Sequence, residues 1–585
     1  MERKQSTNTL QQYAAMLSKY LLPQRSTLAA LTVLLFASIG LQLINPQIIR
    51  YFIDTAQTGG ELQPLFYAAG LFIVFSLIQQ LISIVAAYFS ENLGWKTTNR
   101  LRGDLAEHCL SLDMSFHKTQ TSGSIIERVD GDVNALANFF SSFMIHLAGN
   151  LILMVGILVL LFRENLLVGI GMTVFVVFAV LTIQWIRKFA VPVWAKWRQI
   201  NAEFYGFIGE HLEGTEDTRA NGAAGYVMSR FYALLRRMLP LRTKAFLGFG
   251  MMWITTIVVF ALGNAMAFGI SAYLWKQGAV SLGTVYLIFY YTELLAKPIE
   301  KIRTQLEDLQ RADASLLRIR ELLNTRSQIT DGPGTPLPAG ALAVELQDLT
   351  FGYDDTPTLQ DLQLRLVPGQ TLGLLGRTGS GKTTLARLLL RFYDPQQGGV
   401  LLGGVDIREC KLSELRRKVA MVTQNIEILE GSVRENLTMY DDSIADERII
   451  EVLDDLGLGA WRMSLPQGLD TPLASGGGSL SAGEAQLLAF ARVFLTDPGL
   501  VILDEASSRL DPLTERRIEE AMTKLLQGRT CIMIAHRLAT VQRADQIMVL
   551  ENGRVLEQGK RIELAGNPNS RFSQMLAVGL EEVLV

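Results

Sequence analysis

For its length this sequence has little charge. Asp, Glu, Lys and Arg make up 19% of the 585 residues, while apolar residues make up 49%. Soluble domains carry about a quarter charged residues, so part of the chain is expected to sit in a membrane. The net charge of −3 gives no basic field with which to hold nucleic acid, and no nucleic-acid partner is expected. Cysteine is scarce as well. Cys109, Cys410 and Cys531 lie too far apart for a zinc site or a disulfide framework, so they are read as buried, inert thiols. No signal peptide is recognisable in residues 1–25, which lack an apolar core followed by small residues. That segment reads as a cytoplasmic stretch able to form a short amphipathic helix at the membrane surface. No internal repeat is found.

What the sequence does have is long charge-free runs, all in its first half. Ser26–Ile49, Leu62–Ser90, Val133–Phe162, Asn165–Ile186 and Ala245–Trp275 are each long enough to cross the hydrocarbon. A sixth run, Gln277–Thr292, is shorter and is expected to continue past Glu293 toward Pro298. Arg163 and Glu164 alone separate the third and fourth runs, which predicts a tight helical hairpin. Lys and Arg number 4, 1, 5, 1, 10 and 1 in the segments 1–25, 50–61, 91–132, 163–164, 187–244 and at 276. By the positive-inside rule this alternation puts both termini and the two long loops in the cytoplasm. The mixed charge and helical periodicity of those loops predict membrane helices prolonged into the cytosol.

At Thr325 the composition changes to TRSQITDGPGTPLPAG, a Gly- and Pro-rich linker. Beyond it, short apolar runs alternate with helical stretches, the pattern of an α/β domain with parallel strands. The predicted division is a membrane domain over 26–324, a linker over 325–342 and a second domain over 343–585.

Two stretches of the second domain carry chemistry. Residues 376–383, GRTGSGKT, fit G-x-x-x-x-G-K-[ST] between an apolar strand and a helix. Backbone N–H groups in such a loop approach phosphates, and the helix N-terminus favours the anion. Gly376, Arg377, Thr378, Gly379, Ser380, Gly381, Lys382, Thr383 and Thr384 are the candidate ATP-binding residues. Lys382 is placed to contact the β- and γ-phosphates, and Thr383 the Mg²⁺. Further on, LVILDE over 500–505 is a buried strand ending in two carboxylates. Asp504 suits the Mg²⁺ shell, and Glu505 is placed to polarise the attacking water.

Through these motifs, residues 343–575 resemble an ABC nucleotide-binding domain, and the whole chain resembles a half-transporter of the exporter fold. The fold so implied is an α-helical six-span membrane domain plus an α/β P-loop ATPase domain of ABC type with an antiparallel β subdomain. The resemblance implies ATP and Mg²⁺ as cofactors and gives roles to further residues. Tyr353 stacks on adenine. Gln424 senses Mg²⁺ and water. His536 contacts the γ-phosphate. Asp511 crosses a dimer interface. It also implies that LSAGE over 480–484 closes on ATP held by a partner, with Ser481 and Gly483 touching the γ-phosphate. The usual form is LSGGQ, so Ala482 and Glu484 depart from it, and a carboxylate at 484 that points inward weakens closure. Ser475 stands where the family has a glutamate. DMSFHKTQTSG over 113–123, SIIERVDGD over 124–132 and EHLEGTEDTRA over 210–220 resemble the cytoplasmic loops whose short helices dock on nucleotide domains.

A complete hydrolytic set with an altered signature resembles one subunit of a heterodimeric exporter; a homodimer is the alternative. The remaining expected partners are membrane lipid and a small or amphipathic transported substrate. His146 and Glu293 are candidate pathway residues, because polar groups inside a membrane are costly and often functional. The expected function is ATP-driven export across a bacterial inner membrane. The alternatives are an exporter-fold importer, for example of a siderophore, and an ATP-gated channel or regulator.

Overall fold

The computed structural model describes residues 18–20, 22–59, 61–142, 148–474, 476, 480–504, 512–534 and 541–578. The chain divides into two compact units. One holds the described residues up to Leu110 together with Ser122–Thr325. The other holds Ser111–Thr121 and the described residues from Arg326 onward.

The first unit is helical. Its main helices are α1 (Arg25–Gln57), α2 (Leu62–Ser111, whose last residue falls to the other unit), α4 (Asp132–Ser142), α5 (Gly149–Glu164), α6 (Leu166–Glu213), α7 (Ala224–Lys276) and α8 (Leu282–Asn324). A six-residue helix, α3 (Met114–Thr119), belongs to the second unit. The first, second, fourth and fifth predicted runs fall in the four described helices long and apolar enough to cross a membrane. The third run falls on α4 and α5, with residues 143–147 between them outside the described part. The long loops are indeed prolonged helices, since α2 runs 21 residues past Ser90, to Ser111, and α7 begins at Ala224. The hairpin after the third run turns on Asn165, whose extended backbone and side chain cap α6 through Leu167 N–H. The sixth helix starts later than predicted. Gly278 takes a left-handed φ of +69°, and the Ser281 hydroxyl caps α8 by accepting from Thr284 N–H.

Large apolar side chains such as Phe66, Phe246 and Trp253 stand more than 60% exposed along these helices. Such broad apolar exposure suits lipid rather than water. Facing inward, Ile157, Leu161, Met172, Ile288 and Tyr291 form a fully buried core. Asp132, 1% exposed, fastens the start of α4 to α8. It accepts from Arg318 Nε at 2.8 Å and from Ser315 Oγ at 2.9 Å.

The second unit has two larger sheets. A four-stranded antiparallel sheet has the order β2 (Leu359–Leu366), β1 (Val344–Phe351), β4 (Gln397–Leu402), β5 (Val405–Asp406). A six-stranded sheet has the order β12 (Arg554–Lys560), β11 (Gln546–Glu551), β3 (Thr371–Gly376), β10 (Thr530–Ile534), β9 (Leu500–Asp504), β6 (Val419–Val422), parallel except at β12. A two-stranded ribbon, β7 (Gly431–Ser432) with β8 (Pro472–Leu473), completes the set.

The central strands β3, β9 and β10 are buried at every residue, as parallel strands covered on both faces must be. Alternate side chains go to opposite cores. Val501 and Leu503 of β9 pack with Leu487 and Phe490 of the helix Ala482–Thr496. Leu500 and Ile502 pack with Leu385 and Leu388 of the helix Lys382–Leu389. The three cysteines are buried thiols outside any disulfide, and burial pushes the Cys531 thiol up to about 12. The Gly/Pro-rich stretch is pinned rather than loose: Gly332 N–H donates to Cys410 O at 3.1 Å and Gly334 N–H to Glu409 O at 2.9 Å.

Candidate functional site

Strand register assembles the site. Ile534 of β10 lies level with Asp504 of β9 and with Leu374 of β3, and Val422 of β6 lies level with Leu503. Four strand ends therefore share one edge of the parallel sheet. In open α/β sheets ligands bind outside such carboxyl ends. A cleft of about 350 Å³ opens at this edge, lined among others by Thr378, Gly379, Lys382, Thr383, Gln424 and Asp504.

The loop after β3 turns into α9 (Lys382–Leu389) through Gly381, at φ +106°. A Cβ there would come within 2.4 Å of Leu359 Cδ2, so both the conformation and the space require glycine. Lys382 is 6% exposed, and its ammonium donates to Gly376 O at 2.6 Å and Arg377 O at 3.1 Å. These carbonyls hold the ammonium at the mouth of the loop, where a phosphate oxygen can replace them. Ser380 is also buried, and its Oγ has no hydrogen-bond partner. A buried hydroxyl costs free energy until it is paired, and the oxygens of a bound phosphate chain answer that need. Thr383, Gln424 and Asp504 present oxygen donors to the same cleft, the set that Mg²⁺ prefers when phosphates complete its shell. The residues present fit both groups.

Tyr353 stands half-buried at one side, edge-on to Phe351 and Tyr393 at centroid distances of 5.1 and 5.2 Å. Its hydroxyl donates to Thr384 Oγ1 at 3.3 Å and accepts from Arg387 Nη1 at 3.1 Å. The ammonium of Lys118, from α3, lies 3.6 Å from the ring centroid, a cation–π contact. Helix α3 is tied to this unit at two further points. Tyr393 Oη donates to Met114 O at 3.4 Å. Asp113 caps α3 with Oδ1, through Ser115 and Phe116 N–H, while its Oδ2 accepts from Gln328 N–H and from Ser327 Oγ at 3.1 Å. Burial raises the Asp113 carboxyl's pKa, but these donors outweigh it and leave the group below its ordinary value.

The signature stretch opens α10 (Ala482–Thr496) with Ser481 as N-cap. Its geometry decides which way Glu484 faces. The carboxylate turns back on its own helix and accepts from Ser481 N–H and Ser481 Oγ, both at 2.8 Å. Ser481 Oγ in turn accepts from Glu484 N–H at 3.2 Å, completing a capping box. Gly483 is buried, and a Cβ there would lie 2.1 Å from Thr514 Cγ2 on α11 (Pro512–Leu526).

Glu505, Asp511, His536, His146 and Ser475 lie outside the described residues. Glu293 is exposed and accepts from Asn264 Nδ2 of α7. Thr358, which lines the cleft, and Thr514 are marked by no sequence motif, since each owes its place to a contact between separate elements. Asp113 and Lys118 lie in the 113–123 stretch that resembles a docking loop, but their individual partners, Ser327, Gln328 and Tyr353, are more than two hundred residues away and no local pattern names them.

The comparisons agree with this geometry. Residues 28–299 match the model of the ABC transporter transmembrane region, and residues 359–508 match that of the ABC transporter ATP-binding family. YfiC of Bacillus subtilis, an uncharacterized ABC transporter ATP-binding protein, is 30% identical over 93% of this chain and 91% of its own length. An ATP-dependent lipid A-core flippase of Alcanivorax borkumensis is 29% identical over 87% and 88%. A bacterial Atm1-family ABC exporter with ATP bound shares the fold, with a TM-score of 0.79, 24% identity and coverage of 95% and 98%. A helical membrane region matched over 28–299 and a phosphate-binding α/β unit matched over 359–508, in one polypeptide, make this chain a member of the ABC transporters, an integral membrane protein that binds and hydrolyses ATP.

Proposed function

We propose that this chain is one half of a dimeric exporter that moves its substrate out of the cytoplasm across a bacterial inner membrane. The observation that carries the reading is the meeting of the P-loop, Gln424 and Asp504 in one cleft at the end of a parallel sheet. In this reading residues 26–324 form the membrane domain, 325–342 the linker and 343–585 the nucleotide-binding domain, with both termini cytoplasmic. Lys382 and the loop amides hold the phosphates. Thr383, Gln424 and Asp504 hold Mg²⁺, which neutralises charge on the phosphates when bound. Glu505 polarises water, His536 contacts the γ-phosphate, and Asp511 crosses to the partner. Tyr353 receives the adenine. Ser481 and Gly483 serve ATP held by the other half. Export rather than import follows the flippase likeness.

The partner is a different half-transporter. The capping box supports this, because Ser481 already spends its hydroxyl proton on Glu484 and must release it before meeting a phosphate. Glu505→Gln is expected to abolish steady-state hydrolysis while ATP still binds; undiminished turnover removes Glu505 from its role. The chain purified alone is expected to hydrolyse ATP slowly and to gain activity with a second half-transporter. A fast, stable homodimer refutes the unequal pair.

A further inference from the structure

Among the helices of the first unit lies a cavity of about 570 Å³, within the size range of ligand sites. Its lining runs against its surroundings. Five carboxamide side chains reach it: Gln42 and Asn45 from α1, Gln79 and Gln80 from α2, and Asn150 from α5. Amides at membrane depth are costly unless something answers their hydrogen bonds. Asn45 is the sharpest case. It is 6% exposed, and its Nδ2 donates to Ser76 Oγ at 3.3 Å, yet its Oδ1 has no partner. The next residue, Pro46, sits inside α1 and brings no N–H to the Gln42 carbonyl one turn earlier, so a second acceptor is released from the helix ladder beside the same cavity. Glu91 and Lys297 add one charge of each sign to the lining. Tyr290 is its one aromatic among the described residues.

We propose that this cavity is the transported substrate's binding site, and that its substrate is a neutral or zwitterionic molecule dense in amide or hydroxyl groups. The inference rests on the reading of the chain as a transporter and names the substrate class within it. Orphan acceptors at Asn45 and Gln42 call for N–H or O–H donors. The carboxamide N–H₂ groups call for acceptors. A carboxamide meets an amide with both at once, in a two-point pair. Glu91 and Lys297 leave the described lining with no net charge to favour an anion or a cation, and the one aromatic ring among the described residues offers little stacking surface for a flat apolar compound. The apolar lining residues Leu35, Ile39, Leu153 and Leu294 leave room for a short alkyl part.

The test uses the full-length chain in lipid nanodiscs and reads equilibrium binding, so it does not depend on ATP turnover. Three radiolabelled probes are compared: capped tri-alanine amide, octyl glucoside below its micellar concentration, and tetraphenylphosphonium. Saturable binding of the peptide or the glucoside is expected, and whichever binds identifies an amide or a hydroxyl source. Asn45→Leu, which keeps the branch at Cγ but removes both polar atoms, is expected to weaken that binding about tenfold, the cost of an unpaired polar contact on the ligand. Gln79→Leu serves as a second variant if Asn45→Leu lowers the melting temperature. The proposal is overturned if neither polar probe saturates, if tetraphenylphosphonium binds more tightly than both, or if a well-folded variant binds unchanged. ATP hydrolysis by the unmodified chain with its partner, measured separately, distinguishes a wrong substrate class from a wrong transporter reading.

Discussion

Two clefts of the molecule, one in each unit, are built in opposite ways. In the α/β unit, lining residues between 378 and 384 lie close together along the chain and need only Thr358, Gln424 and Asp504 from elsewhere to complete the lining. In the helical unit, the carboxamides of Gln42, Asn45, Gln79, Gln80 and Asn150 come from three helices and are spread over more than a hundred residues. Phosphate is bound largely by backbone, so the loop's sequence must be contiguous and glycine-rich. A cavity lined by side chains has no such requirement. It can be assembled from any helices that pack, and each contributes one or two residues per turn. The ATP site is therefore common to a large family, and the helical cavity is where one member can differ from another.

The largest effect expected from breaking one cleft and sparing the other is at Lys382. Lys382→Ala is expected to lower hydrolysis by two orders of magnitude or more, on the order of the loss of a charge-stabilising donor, while peptide or glucoside binding in the helical cavity stays. Loss of both would mean that the two clefts do not function separately. Gly483→Ala comes next, because the reason for that glycine lies on another helix. The added methyl must displace Thr514 Cγ2, and overpacking of this kind costs roughly 1–3 kcal/mol. A fall in melting temperature that Thr514→Ser largely reverses would show the contact at work, whereas an unchanged melting temperature would remove it.

Asp113→Asn is expected to have an effect of about 1–2 kcal/mol, the loss of charge-assisted hydrogen bonds to Gln328, Phe116, Ser327 and Ser115. Its pH sign is fixed. The carboxyl is held below its ordinary value in the folded chain, so its stabilisation is fully present above the ordinary aspartate range near pH 4. It is lost as pH falls through the lowered folded value. Between neutral pH and about pH 4 the difference in stability between wild type and Asp113→Asn should stay constant, and below it the two should converge. A difference that grew on acidification would contradict the hydrogen-bond account. The smallest effect is at Glu484. Glu484→Gln removes a carboxylate from a helix N-terminus, a loss of about 0.3–1 kcal/mol, but it loosens the hold on the Ser481 hydroxyl. The assembled transporter should then hydrolyse ATP up to a few-fold faster at the site that Ser481 serves, measured with the opposite site disabled.

Legibility followed the same division. The P-loop, the strand ending at Asp504 and the runs without charge could be read directly, because each is a local pattern with one physical cause. Helix ends were less legible. The turn at Gly278 and the cap at Ser281 moved the sixth helix five residues on, since apolar composition continues through a turn that backbone conformation decides. The orientation of Glu484 was open in the sequence. A carboxylate three residues after a serine can face outward or fold into a capping box, and the structure gives the second. The carboxamides were hidden for another reason. Gln42, Asn45, Gln79, Gln80 and Asn150 sit in runs read for their lack of charge, where neutral amides pass unnoticed.

The contact between Lys118 and Tyr353 has a thermodynamic side. Tyr353 has one ring, and on the face covered by the Lys118 ammonium a nucleotide base and the ammonium exclude each other. Two ligands of one surface obey reciprocity: the factor by which base stacking loosens α3 equals the factor by which holding α3 in place weakens the base. A cation–π contact of about 0.5–2 kcal/mol sets that factor at about two- to thirtyfold. Removing the ammonium with Lys118→Met should tighten ATP binding within that range and leave GTP and ATP discrimination to the rest of the site. Helix α3 would then act as a competitor whose withdrawal is itself a form of nucleotide affinity.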